Sequence, residues 1–325
     1  MKTLNWKHSL CLGCALLLIP LTSLRAANGH KGSTIRFAFQ DRIGSVIPII
    51  ACRKGFFKEQ GLKIKPLRFS SGPACSEALY SGAADIGAMG DTTAVIMTVR
   101  SHNFVIIASH ATGEHRHRLV VRKDSEIVSI KDLIGKRVGV KKGTSTYGGL
   151  LAVLKQDDIP TNEMTLIDLE PPIMTDALMA GSLDAFAASE PTPSMAEEKG
   201  AVELTTLGGL GNVYPILILA KKDFLERNPL NIQKFLQSLK KSATYVAEHP
   251  QETASIMTQE IELPLSTTKH AMARHQYDLR LDAEIFSSLK QTAQFLQGQD
   301  IIDELPDLSA PATSNLLECI PRDKL

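Results

Sequence analysis

The chain has 325 residues, of which 43% are hydrophobic and 22% charged, and its formal net charge is +1 at pH 7. That balance excludes a strongly basic face for nucleic acid and reads as a globular protein, long enough for two domains of about 150 residues each.

At the N-terminus, Lys2 and Lys7 precede an apolar run over residues 10–24, and the small pair Ala26-Ala27 follows it. This three-part layout is that of a secretory signal cut near Ala26, which makes residues 1–26 a signal peptide and the mature chain an exported protein. Read as a membrane anchor, the run is only about 15 residues long and carries Pro20, against the roughly 20 residues that a spanning helix needs. Leu12-Gly13-Cys14 resembles the end of a lipobox, yet most of the apolar stretch follows Cys14 instead of preceding it. With Cys11 and Cys14 inside the signal, Cys52, Cys75 and Cys319 remain; at most one disulfide forms among these three, and they show no Cys-x-x-Cys or zinc spacing.

Beyond the signal, short β-branched runs alternate with segments of helical period, which predicts an α/β fold of mixed sheets flanked by helices. Strands are expected over 34–39, 62–69, 84–88 and 104–109, with helices over 45–60, closed by Gly61, and from Pro73 and Asp91 onward. A second set follows, with strands over 137–141, 164–169, 183–187 and 201–205 and helices starting near Thr144, Pro172 and Pro191. Strand-like runs over 118–122 and 214–220 bracket this second set. The chain is therefore expected to leave a first lobe and return to it through two crossover strands that act as a hinge. Lobe 1 is then discontinuous, 33–117 and 215–325, and lobe 2 is 118–214. No internal repeat stands out. A helix over 231–248 sets Ile232, Phe235, Leu236, Leu239, Ala243 and Val246 at i, i+3, i+4, i+7 spacing, and another over 283–297 ends at Gly298; both read as scaffold on the first lobe.

Several short motifs fall in a fixed order: Gly55-Phe56-Phe57-Lys58-Glu59-Gln60-Gly61-Leu62, Ser71-Gly72-Pro73-Ala74, Glu77-Ala78-Leu79, Ser81-Gly82, Ala84-Asp85-Ile86-Gly87 and Gly90-Asp91-Thr92. This series resembles the substrate-binding proteins of nitrate, sulfonate and taurine ABC importers, whose wider superfamily includes a thiamine-pyrimidine synthase group. Lys131-Asp132-Leu133-Ile134-Gly135-Lys136-Arg137-Val138-Gly139-Val140 with Gly143-Thr144 is similar to the opening of that family's second lobe. Ala180-Gly181-Ser182-Leu183-Asp184-Ala185 followed by Glu190-Pro191 matches its next landmark, so the resemblance covers nearly the whole mature chain. It implies the two-lobed type II periplasmic binding fold, a periplasmic location, a small-molecule ligand, and a membrane permease and ATPase as partners. It also implies a monomer without cofactor. The chain departs from the family at Ser189, where a bulky aromatic often precedes the acidic-Pro pair, so no particular substrate carries over.

In open α/β sheets, ligands sit outside the carboxyl ends of the strands. After the first strand come Gln40, Asp41 and Arg42; the amide both donates and accepts, and the planar guanidinium suits an oxyanion. Ser70, Ser71 and Gly72 lead into one helix, and Gly90, Asp91 and Thr92 into the next. Free N–H groups at such helix starts bind anions, although the same residue types are also ordinary N-caps. Thr144, Ser145 and Thr146 repeat the arrangement in the second lobe; Gly149 and Leu150 stand where a phosphate loop needs Lys and Ser or Thr, so nucleotide is not expected. Glu190 is expected to face the amine of a zwitterion, with a cap or surface role as the alternative. Asn212 and Tyr214 are expected to close the pocket, with hinge packing the alternative for Tyr214. His110, Glu114, His115 and His117 cluster without a zinc motif, so no metal is expected. Of these, His110 is expected to point into the cleft and to make anion affinity pH-dependent.

These residues describe a receptor with no catalytic group, and neither Gly-x-Ser-x-Gly nor His-Glu-x-x-His occurs. The alternatives are an enzyme on the same scaffold related to the pyrimidine synthases, which carry a cysteine cluster that this chain lacks, and a module that hands its ligand to a signalling receptor.

Overall fold

The computed structural model describes residues 34–307, so the expected export signal, the cut expected near Ala26, and Cys319 lie outside the described residues. The strands are β1 (Ile35–Gln40), β2 (Ile64–Phe69), β3 (Ile86–Gly90), β4 (Phe104–Ala111), β5 (His117–Arg122), β6 (Arg137–Val140), β7 (Thr165–Asp168), β8 (Ala185–Ser189), β9 (Ala201–Thr206) and β10 (Ile216–Lys221). They form two five-stranded sheets, ordered β2-β1-β3-β10-β4 and β7-β6-β8-β5-β9. In each sheet one inner strand runs against the others: β10 between β3 and β4, and β5 between β8 and β9. The fold is the expected α/β architecture of two mixed sheets flanked by helices.

Both sheets are buried on both faces, and the alternation of side chains along each strand shows why. In β1, Ile35, Phe37 and Phe39 enter one apolar cluster and Ala38 the other; in β10, Ile218 and Ala220 face the first, Leu217 and Leu219 the second. The second sheet is built alike, with Ala185 and Ala187 on one side of β8 and Phe186 and Ala188 on the other. The helix Pro229–Glu248 buries Ile232, Phe235, Leu236, Leu239, Ala243 and Val246 against the first sheet, as its spacing predicts. The helix Ala283–Gln297 is capped by Asp282, whose side chain accepts from the Ile285 N–H at 3.1 Å, and covers the opposite face with Ile285, Leu289, Ala293 and Leu296.

Three details differ from expectation. The helix expected over 45–60 is broken into Val46–Arg53 and Phe56–Glu59, because Gly55 sits at φ +76°, a left-handed conformation that ends the first segment. The runs over 118–122 and 214–220 do not connect the sheets: β5 and β10 are inner strands, and the chain passes between sheets in the short segments 112–116 and 207–215 that precede them. The sheets also repeat one topology and one anchor. Arg36 at the head of β1 pairs with Asp85 at 2.5 Å and donates to the Gly82 carbonyl, while Arg137 at the head of β6 pairs with Asp184 at 2.9 Å and donates to the Gly181 carbonyl.

Candidate functional site

Loops that follow β1, β2 and β3 and those that follow β6, β7 and β8 line one narrow cleft, with a cavity volume of about 30 Å³. Three helices begin at it, Gly72–Tyr80, Asp91–Arg100 and Ser145–Gln156, and the first-turn N–H groups of a helix have no intrahelical acceptor. The two halves meet across it: Thr93 Oγ1 donates to the Gly143 carbonyl at 2.8 Å, and Ser70 Oγ donates to Glu170 at 2.8 Å. Gly90 comes so close to the second half that a Cβ there would stand 2.3 Å from Ser145 Oγ.

Two guanidinium groups dominate the electrostatics. Arg42 lines the cleft, and among the described residues its side chain has no hydrogen-bond or ion-pair partner. Arg116, 3% exposed, is held only by neutral acceptors, donating to Ser189 Oγ at 2.8 Å and to the Tyr214 carbonyl at 2.9 Å, and its Nε finds no partner. Burial lowers both to about 10, which leaves both charged at neutral pH. Lys141, at the same cleft, is by contrast neutralised by Asp168 at 3.3 Å and Glu170 at 3.1 Å.

The hydroxyls divide by role. Ser71 and Ser145 are buried at the cleft with Oγ atoms that have no partner among the described residues. Thr144 is the N-cap of its helix: its Oγ1 accepts from the Tyr147 N–H at 3.3 Å and donates to the Lys141 carbonyl at 2.6 Å. Thr146 Oγ1 lies 2.7 Å from Nδ1 of His117. Burial, reinforced by Arg116 and Arg42, pushes the His117 imidazole well below its ordinary range and keeps it neutral.

Gln40, Arg42, Ser71, Gly72, Gly90, Thr144, Ser145 and Thr146 are thus brought to one cleft. The remaining six expected residues are elsewhere. Asp91 turns away from it, accepting from the Thr92 N–H at 2.8 Å, from Asn212 at 3.0 Å and from Thr292 at 2.7 Å. Asn212 therefore ties the return crossing to the helix Ala283–Gln297 and does not close the pocket. Tyr214 donates to the Leu207 carbonyl at 2.6 Å and packs edge-on against His117, the hinge-packing alternative. Thr92 lines a second space that shares Ser145 with the cleft, together with Gly148, Asn212 and Tyr214. Glu190, fully buried, faces no cleft: it accepts from Arg118 at 2.8 Å and from Ser194 Oγ at 2.7 Å, because a carboxylate without water needs a paired cation. His110 is likewise fully buried in β4 off the cleft, and burial lowers it to about 3, so it carries no charge near neutral pH. Among the described residues no group of His, Cys, Asp and Glu is arranged to hold a metal; His115 bonds Thr206 and Glu114 accepts from the Gly209 N–H.

Thr93, Arg116, His117, Lys141, Met174 and Ser189 line the cleft without having been singled out as ligands from the sequence. Arg116 and His117 stand at a crossing between sheets, and that position was a usable signal. Ser189 was visible as a departure from the family pattern, and its small hydroxyl is what receives Arg116.

Comparison with known proteins agrees with this architecture. The chain is 25% identical over 307 residues to a Bacillus subtilis (strain 168) protein provisionally named as aliphatic sulfonates-binding, covering 90% of this chain and 92% of that one. It is 25% identical over 278 residues to the taurine-binding periplasmic protein of Escherichia coli (strain K12), covering 81% and 86%. Among solved structures, the alkanesulfonate-binding protein SsuA from Xanthomonas axonopodis pv. citri, bound to MOPS, superposes with a TM-score of 0.79 at 21% identity over 85% of this chain and 96% of that one. The desulfurization enzyme DszB superposes with a TM-score of 0.69 at 14% identity over 88% and 99%. At these identities the structural likenesses establish the fold alone, and that fold carries both binding proteins and an enzyme. The model of the family described as NMT1/THI5 like matches residues 45–253, more than half of the sequence, and the chain belongs to that family.

Proposed function

We propose that this protein is an extracytoplasmic solute-binding receptor of an ABC importer, which holds a small oxyanion, a sulfonate above all, between its two sheets. The observation that carries the reading is Arg42, a cation at the cleft with no partner among the described residues, beside Arg116, whose contacts are all neutral. An unpaired charge in a cleft is costly, and an oxyanion supplies the complementary charge and several acceptor oxygens. Ser71, Ser145 and three helix starts add neutral donors from both sheets, so one bound anion ties the halves together.

The names of the sulfonate- and taurine-binding relatives favour this class of solute, and that of the taurine-binding protein a periplasmic location; a permease and an ATPase as partners and a monomeric state complete the proposed reading. Burial raises the Cys52 thiol to about 11 and the Cys75 thiol to about 12, so both stay protonated and neither offers a thiolate. Thermal unfolding tests the reading. An alkanesulfonate at 100 times its dissociation constant stabilises the folded state by about 2.7 kcal/mol, and Arg42→Gln removes that gain. Equal stabilisation of both proteins, or of neither, rejects Arg42 as the anion's partner.

A further inference from the structure

The cleft is unbalanced in a way that bears on the far end of the ligand. Its donors are unspent: Arg42, Nε of Arg116 and the hydroxyls of Ser71 and Ser145. Its carbonyl acceptors are consumed within the protein, and the acceptors left free among the described residues, the Ser71 and Ser145 hydroxyls and Nε2 of His117, are uncharged. The carbonyl of Lys141 takes the Thr144 hydroxyl, that of Gly143 takes Thr93, and that of Tyr214 takes Arg116.

The nearby carboxylates are spent as well. Glu190 is locked by Arg118 and Ser194, Asp91 by Thr292 and Asn212, Asp41 by Arg68 at 2.7 Å, and Glu170 by Lys141 and Ser70. Among the remaining lining residues, Pro171 and Met174 offer apolar side chains. His117, the one imidazole at the cleft, is neutral and adds no negative charge.

We infer that the cleft selects an anion whose other end is uncharged and apolar, and rejects a zwitterion that carries an ammonium group. An ammonium entering this site would lie against apolar carbon, in the field of two guanidinium groups, without a free carboxylate to replace its water. A methyl or methylene in the same place loses nothing and buries apolar surface. This inference rests on the oxyanion reading of the cleft and goes beyond it, since amino- and alkylsulfonates share the same anionic head.

Isothermal titration with 1-propanesulfonate and with taurine, which differ only by a terminal methyl against an ammonium group, separates the two. Taurine is expected to bind at least tenfold more weakly. Taurine within a factor of ten of propanesulfonate, or tighter, overturns the inference and leaves the oxyanion reading intact. Silence from both overturns that reading as well. Met174→Glu, which sets a carboxylate in place of an apolar side chain, is expected to shift the ratio at least tenfold toward taurine; an unchanged ratio in a folded variant places the tail elsewhere and overturns the role given to Met174. Should that variant not fold, the comparison on the unaltered protein decides alone.

Discussion

At the scale of the residue, neighbouring hydroxyls of one loop have separable tasks. Thr144 spends both its donor and its acceptor on the start of the helix Ser145–Gln156, whereas Ser145 Oγ has no partner among the described residues and lies at the cleft. Thr144→Ala is therefore expected to lower stability by about 1 kcal/mol, the usual cost of losing such a cap, with anion affinity changed little. Ser145→Ala should do the reverse, weakening the anion while the urea midpoint holds. Chemical denaturation and calorimetry on the two variants check the division. The buried histidines supply a second prediction. His110 and His275 are held down to about 3 by burial, and His117 well below its ordinary range. Their folded pKa values lie below the unfolded value of about 6.5, so their contribution to stability is complete above that pH. It is lost as pH falls from there toward 3, while the unfolded chain takes up protons that the fold refuses. Melting temperature is expected to decline between pH 6.5 and 4, and anion affinity to stay flat between pH 6.5 and 8; a tenfold change across the latter range would return a titrating histidine to the cleft.

At the scale of the element, the site is made where helix starts from two sheets touch. The helix Asp91–Arg100 approaches the helix Ser145–Gln156 so closely that Gly90 leaves no room for a Cβ against Ser145 Oγ, and a Cβ on Gly148 would meet Thr92 Oγ1 at 3.0 Å. Gly90→Ala is expected to weaken anion binding about tenfold or more by holding the halves apart, with little effect on the core of either sheet. The nearest obstruction is one hydroxyl, with Ser145 Cβ at 3.5 Å behind it. Gly90→Ala combined with Ser145→Ala should thus bind more tightly than Gly90→Ala alone, and titration of the pair checks it. Much of this level was legible in the sequence. The spacing of Ile232, Phe235, Leu236 and Leu239 marks a buried helical stripe, and the β-branched runs mark strands. The doubling into two strand-helix sets was legible as well, but the strand order that the two sheets share was not, because pairing partners are distant in the chain; the matching anchors, Arg36 with Asp85 and Arg137 with Asp184, mark the repeat.

At the scale of the whole molecule, two crossing segments and a few polar contacts join the sheets. Thr93 reaches the Gly143 carbonyl, Ser70 reaches Glu170, Thr267 donates to Glu198 at 2.5 Å, and Arg274 pairs with Glu203 at 3.1 Å. Such contacts are few and polar, so closure is open to bias by a ligand that binds both halves. Hydrogen exchange is expected to slow on addition of an alkanesulfonate at residues 72–75 and 145–148 together; slowing on one side alone would mean that the anion does not bridge. The sequence by itself determined the elements, the α/β class and the strand-to-helix loops that carry Gln40, Arg42, Ser71 and Ser145, because these follow from periodicity and from local turn chemistry. Only the tertiary structure decided which polar groups remain free. Glu190 and Asp91 have the residue type of ligands, yet Arg118 and Thr292 occupy them, whereas the side chain of Arg116 has, among the described residues, only a serine hydroxyl and a carbonyl as partners. Whether a charge is spent depends on partners distant in the chain, here 72 residues away for Glu190 and 201 for Asp91, and no local pattern encodes that.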